Sequence, residues 1–168
     1  TGLVEIFAGG DITLGGELST TGAAGVSLTS TGGSVADANG SGTSNIVAPL
    51  LTLDVAGGVN LDTTITTLAG TAGSLTIRET DTLVLSAVNV SNTATITLAL
   101  GNLTGSLTAG TAILSAPGTI DLDTTVGTLT ATSATLTIDE TNGLILSNVT
   151  VTGTATITLT AGALTGDL

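Results

Sequence analysis

Apolar and polar residues alternate along this chain in short runs that end at Gly, Asn, Asp or Pro, as in Thr95-Ile96-Thr97-Leu98 before Gly101-Asn102. A period of two places every apolar side chain of a run on one face of an extended strand, so the pattern predicts short strands joined by tight corners. Gly9-Gly10-Asp11-Ile12-Thr13-Leu14 and Gly25-Val26-Ser27-Leu28-Thr29-Ser30 read as strands in a less regular section, 1–47. Asp37-Ala38-Asn39-Gly40-Ser41-Gly42-Thr43-Ser44 reads as a loop, giving a protrusion over 37–45. Pro49 and Pro117 are expected at corners or strand starts, because a prolyl nitrogen cannot donate within a ladder.

The runs recur. Leu61 to Leu107 aligns without gaps on Leu122 to Leu168, an offset of 61 residues, which divides the remainder into long repeats 48–107 and 109–168. Asp62-Thr63-Thr64 returns as Asp123-Thr124-Thr125, Glu79-Thr80 as Glu140-Thr141, and Leu103-Thr104-Gly105 as Leu164-Thr165-Gly166. Apolar strand centres near Ile77, Ile96, Leu114 and Ile138 add a sub-period of roughly 20 residues, or three coils per long repeat. A lone strand cannot bury its inner face, whereas coils stacked about 4.8 Å apart give each inner residue an equivalent above and below. The expected fold is therefore all-β, a parallel β-helix (β-solenoid) in a single segment 1–168. It would have about eight coils and a length near 40 Å. Open edges at both ends recruit other strands, so the segment is expected to belong to a longer rod.

Composition narrows the picture. Hydrophobic residues make up 41% and mean hydropathy is +0.63, yet Phe7 is the only aromatic, so the core must be aliphatic. The frequent Val, Ile and Thr suit a pleated sheet. A net charge of −12, with Arg78 the sole basic side chain, excludes nucleic acid, whose phosphates are held by Lys and Arg. No run approaches the roughly 18 apolar residues that span a bilayer, so no membrane insertion is expected. Cysteine is absent, which removes disulfides and thiolate metal sites.

The Gly9–Leu14 run, the Ser27-Leu28-Thr29-Ser30-Thr31-Gly32-Gly33-Ser34 run and the Leu-Asp-Thr-Thr segments at Leu61 and Leu122 resemble the β-strand repeats of giant bacterial surface proteins, the filamentous-haemagglutinin-like adhesins and related exoproteins. The resemblance extends over nearly the whole chain. It implies a right-handed coil, export to the cell surface, and a rod that holds other parts at a distance; this chain lacks the secretion domain, anchor or globular tip of a complete member.

Candidate chemistry is sparse. Asp121 and Asp123 share one strand face, as do Asn60 and Asp62, but a lyase would add Lys or Arg and a glycosidase aromatic platforms, so no enzyme is expected. Calcium is the one cofactor entertained, with Asp37, Asn39, Asp121 and Asp123 as oxygen donors; Ala48 stands where a bidentate Glu would complete the loop. Arg78 is expected to pair with Glu79 or another carboxylate. Sequons occur at Asn89, Asn102 and Asn148. Thr93, Thr95 and Thr97, and again Thr154, Thr156, Thr158 and Thr160, form Thr-x-Thr arrays that resemble the ice-contacting faces of solenoid ice-binding proteins, against the plain reading that Thr favours strands and stacks with itself.

The function expected is a structural or adhesive, filament-forming rod of a secreted or cell-surface bacterial protein. Its partners would be adjacent repeats, neighbouring copies in a filament, or a host or cell-surface ligand. The alternatives are an ice-binding solenoid and a calcium-stiffened surface-layer or matrix protein.

Overall fold

The computed structural model describes residues 2–167. Every paired strand is parallel to its neighbour, and no helix occurs among the described residues. The chain winds as a β-solenoid of about nine turns, with equivalent residues about 18 apart. At about 4.8 Å per coil the rod is about 43 Å long.

Each coil contributes one strand to each of two sheets. In the first, Val4 stacks on Val26 and Val26 on Leu51; further along, Leu68 stacks on Leu85, Leu85 on Gly105, Gly105 on Leu122, Leu122 on Ile138 and Ile138 on Ile157. In the second, Ile12 stacks on Val35 and Val35 on Val59; further along, Leu75 stacks on Ala94, Ala94 on Ala112, Ala112 on Leu129, Leu129 on Leu146 and Leu146 on Gly166. The long extended run Ile46–Glu79 belongs to both sheets, passing corners without losing its ladder. Pro49 and Pro117 lie where the chain crosses from one sheet to the other, Pro117 in a bend between strands.

Period-two alternation accounts for the interior. Leu51, Leu68, Leu85, Ile77, Ile96 and Leu103 are fully buried, and the buried residues of both sheets form one aliphatic core. Phe7 points outward and is 72% exposed. Aliphatic side chains stacked on aliphatic neighbours exclude water from the core, which is what stabilises strands too short to stand alone.

The coil is tighter than the roughly 20 residues read from the sequence, because most corners need only two or three residues. Residues 38–45 are the main departure, leaving the second sheet between Val35–Asp37 and the strand that starts at Ile46.

Tighter coils change what the long repeat means. At about 18 residues per coil, 61 residues make about three and a half coils, not three. Corresponding residues therefore fall on different sheets: Ile77 and Ile96 stack in the second, their counterparts Ile138 and Ile157 in the first. The two copies are related by a half turn and a rise of about 17 Å. The local geometry survives this rotation. Gly105 and its counterpart Gly166 both have positive φ, +111° and +101°, and a Cβ on either would run into a carbonyl oxygen of the coil below, Leu85 or Leu146.

Candidate functional site

Buried carboxylates were not anticipated. Glu79 and Glu140 project into the rod at corresponding positions and are 2% and 0% exposed. Thr63 Oγ1 donates to Glu79 at 2.7 Å, and the backbone N–H groups of Ile65 and Thr80 donate at 3.1 and 2.9 Å. Thr124 Oγ1 donates to Glu140 at 2.8 Å, with Val126 and Thr141 N–H at 3.1 and 2.9 Å. Beside each box a threonine pair spans two coils, Thr64 with Thr80 and Thr125 with Thr141, both at 2.6 Å. Burial pushes the Glu79 carboxyl up from its ordinary value, while Thr63 and the backbone donors pull it partly back. The signal was present in the sequence as the recurrence of Asp-Thr-Thr with Glu-Thr. Its inward direction was not, since acidic residues are almost always solvated.

The calcium candidates are dispersed. Asp37 and Asn39 do converge, but on an amide. The buried Asn45 donates through Nδ2 to Asp37 Oδ1 at 3.0 Å and to Asn39 Oδ1 at 2.9 Å, and Asn39 N–H donates to Asp37 Oδ1 at 2.8 Å. Those hydrogen bonds, the Asn45 amide first, hold the Asp37 carboxyl below its ordinary value. Asn45 Oδ1 in turn accepts from Asp62 N–H at 2.9 Å, so one side chain closes the 38–45 loop onto the next coil. Asp121 and Asp123 lie several coils away on the first sheet, exposed, with Asp139 directly beside Asp123 in the next coil. Among the described residues no group of three or more His, Cys, Asp or Glu is arranged to hold a metal ion.

Arg78 does not pair with Glu79, which faces inward. Its Nε binds Asp62 in the coil below, and Nη1 donates to Asn60 Oδ1 at 2.8 Å. The corresponding outward pair in the second copy is Asp123 and Asp139, two like charges.

The threonine arrays are separated by the half turn. Thr93, Thr95 and Thr97 lie on the second sheet, Thr156 and Thr158 on the first, and Thr154 and Thr160 border the latter. A neighbouring array replaces the expected one. Thr93 stacks on Thr111 and Thr111 on Thr128, Thr95 on Ile113 and Ile113 on Thr130, Thr97 on Ser115 and Ser115 on Thr132. Three adjacent coils thus carry eight hydroxyls and one exposed Ile, with no charged residue in 91–118 or 127–134.

No protein-family model, curated protein or solved structure matches the chain. The surfaces themselves therefore carry the functional argument. A groove of about 570 Å³ follows the edge of the first sheet over a floor of Val55, Ala72 and Val90, walled by Asp54, Thr71, Asn89 and Thr108. Asn89 and Thr108 also line an adjoining depression of about 210 Å³. Of the sequons, Asn89 sits in this groove with its amide on Ala87 O, Asn102 Oδ1 accepts from Thr119 N–H, and Asn148 is exposed on the second sheet.

Proposed function

We propose that the chain serves as a structural rod of a secreted or cell-surface repeat protein, a solenoid whose purpose is length and stiffness. The observation that carries this reading is the half-turn repeat. Two copies of one unit occupy different sheets yet keep the same buried Glu box, the same glycine cradle and the same aliphatic column. What is held constant is coil-to-coil stacking. Outward side chains are kept in part, Thr93, Thr95 and Thr97 returning as Thr154, Thr156 and Thr158 while Arg78 gives way to Asp139, but the half turn sends the two copies to different sides of the rod. A unit that built up one binding face would return to the same side of the rod; this one turns away and keeps its stacking. The acidic, lysine-free surface resists aggregation of so β-rich a chain. Adhesion, filament formation, bacterial origin and the likeness to filamentous-haemagglutinin-like proteins accord with a rod and belong to the proposal.

The test is insertion of one further 61-residue unit between the two copies, followed by small-angle scattering. A rod predicts growth of about 17 Å at constant cross-section. Growth in cross-section, or loss of the β signal, overturns the reading.

A second reading rests on the uncharged array over Thr93–Thr97, Thr111–Ser115 and Thr128–Thr132. Its hydroxyls repeat about 4.8 Å between coils and about 6.6 Å along the strand, a regular lattice of the kind that orders water against a crystalline surface. Thermal hysteresis and ice shaping that disappear in Thr95→Lys and Thr130→Lys variants would support it. Absence of hysteresis in the unmodified chain rules it out.

A further inference from the structure

Two asparagines in this chain precede glycine, Asn39 and Asn142; the other six precede Ile, Leu, Val or Thr. The backbone nitrogen that follows an asparagine can attack its side-chain amide, and a glycine there brings no side chain into the way and the freest backbone. The fold treats the two pairs in opposite ways. Asn39 is held in the 38–45 loop, where its Nδ2 donates to Ser44 O at 3.3 Å and its Oδ1 accepts from Asn45 Nδ2 at 2.9 Å. The Gly40 N–H is among the donors that lower the Asp37 carboxyl, and Gly40 O accepts from Thr43 N–H at 3.3 Å. The Asn39 amide and the nitrogen that would attack it are thus both engaged, and Asn39 is half-buried.

Asn142 is the reverse. It lies in an exposed bend between Thr135–Glu140 and Leu144–Val151. Its backbone N–H donates to the buried Glu140 at 3.2 Å, which anchors the bend, while its side-chain amide has no hydrogen-bond partner among the described residues. The Gly143 N–H has none there either. The next coil passes this bend with Gly162 at φ +84°, and a Cβ at that place would lie 2.4 Å from the Gly143 nitrogen and 3.0 Å from the Asn142 carbonyl carbon. A bare glycine therefore leaves the reacting peptide uncovered by any side chain of that residue. In the first copy the corresponding pair is Asp81-Thr82, and the Asp81 N–H likewise donates to the buried Glu79. This corner accommodates an aspartate.

We propose that the Asn142-Gly143 pair is a site of self-modification, at which the folded chain deamidates in water to aspartate and isoaspartate while the Asn39-Gly40 pair is kept intact. The Gly143 nitrogen attacks Asn142 Cγ and gives up its proton to solvent. The new N–Cγ bond closes a five-membered succinimide as the Cγ–Nδ2 bond breaks, and Nδ2 takes a proton from solvent and leaves as ammonia. Water then opens the ring, so that water enters, ammonia departs and nothing is oxidised or reduced. Opening at Cγ gives aspartate, the residue the first copy already has as Asp81. Opening at the Asn142 carbonyl carbon gives isoaspartate, whose main chain runs through Cβ and is longer by one methylene. Either product adds a negative charge. Only isoaspartate lengthens the corner that leads Leu144–Val151 into its ladder with Thr128–Ser133.

Ageing of the 168-residue chain in mildly alkaline buffer, followed by peptide mass spectrometry across both pairs, provides the test. Asn142 should convert to a mixture of aspartate and isoaspartate, and Asn39 should lag by about tenfold or more, because its hydrogen bonds must open before it reacts. In strong denaturant the two pairs should convert at similar rates. Gly143→Ala should slow conversion at 142 and leave 39 unchanged; its added Cβ comes no nearer than 3.3 Å to the next coil. Separated by charge, the isoaspartyl chain should melt below Asn142→Asp, which represents the other product. Equal rates at the two sites in the folded chain, an Asn142 that stays intact while the denatured chain reacts, or a difference that persists in denaturant overturns the proposal, as does undiminished conversion in Gly143→Ala. An isoaspartyl chain as stable as Asn142→Asp overturns the effect on the corner. The unmodified chain decides selectivity even where a variant fails to fold.

Discussion

Glu79 and Glu140 bury equivalent carboxylates against equivalent partners on different sheets of the rod, each beneath a threonine hydroxyl and two backbone N–H groups. A carboxylate in an aliphatic core is costly unless its lone pairs are filled, and here they are filled by donors from two successive coils. Such a box resists slippage between coils, since a one-residue shift would strand the charge. Replacing Glu79 by Ala leaves the Thr63 hydroxyl and the Ile65 N–H without their acceptor, at a cost of about 2–4 kcal/mol. Glu79→Gln keeps one acceptor oxygen but sets its NH2 against a backbone N–H, and should cost less than Glu79→Ala at neutral pH. Chemical denaturation of the two variants checks this; equal losses would show that filling space, not accepting hydrogen bonds, is what Glu79 contributes.

The same residue sets a pH dependence. Burial raises the folded Glu79 pKa above its ordinary 4.5, so the folded state holds this proton more tightly than the unfolded one. Its stabilising contribution is complete below that ordinary value and is lost as pH rises through the folded value. Asp37 has the opposite sign. Its pKa is lowered from 3.8 by Asn45 and the Asn39 N–H, so its contribution holds above 3.8 and disappears only as pH falls through the lowered value. Acidification from pH 7 to about 5 should therefore stabilise the rod through Glu79 without loosening the loop. Thermal melts of the unmodified chain and Glu79→Gln over this range isolate the effect, because relief of general acidic repulsion is common to both. A Glu79→Gln slope equal to the parent's would refute the assignment.

Outward differences between the copies offer a direct stability test. Arg78 bridges Asp62 and Asn60, whereas Asp139 faces Asp123 at the corresponding place. Asp139→Arg should convert repulsion into a cross-strand ion pair and raise stability by up to about 1 kcal/mol, less in high salt. The exchange Arg78→Asp should act in the other direction and by more, since Asp62 is buried. Melting temperatures at low and high ionic strength check both.

Much of the fold was legible because a parallel solenoid writes its structure into local alternation: Thr95-Ile96-Thr97-Leu98 gives strand, face and inward residues at once. The half turn was not, because it depends on whether 61 residues hold three coils or three and a half, and a difference of two residues per coil is invisible in a blurred sub-period. That difference carries Thr156 to another sheet than Thr95, and it brings Thr128, Thr130 and Thr132, whose first-copy counterparts are Thr67, Ala69 and Thr71, into the Thr95 array. Loop chemistry was misleading for a different reason. Asp37 and Asn39 have the composition of a cation site, and only the fold brings the buried Asn45 amide between them.

Gly105 and Gly166 let one local clash be tested in both copies of the repeat. Both hold positive φ under a carbonyl that a Cβ would strike. Gly105→Ala lies under covering coils, so the strain must be met by the whole stack, lowering global stability by about 3 kcal/mol. Gly166→Ala meets the same clash in the second copy, against Leu146 O. Hydrogen exchange should therefore show faster exchange that includes Leu83–Val90 in Gly105→Ala and Leu144–Val151 in Gly166→Ala.

The half-turn relation itself can be measured, since the chain has no cysteine to compete with introduced labels. Thr76 and Asn148 lie in one column of the second sheet, linked through Thr95, Ile113 and Thr130. Four coils separate them, about 19 Å along the axis. Thr95 and Thr156 differ by only about 17 Å in axial rise but point outward from different sheets, with two sheets, about 10 Å apart, between their labels. Spin labels at Thr95 and Thr156 should therefore lie farther apart than labels at Thr76 and Asn148, despite the smaller rise. A three-coil repeat would set Thr95 and Thr156 on one face, about 14 Å apart, and the order of the two distances would reverse.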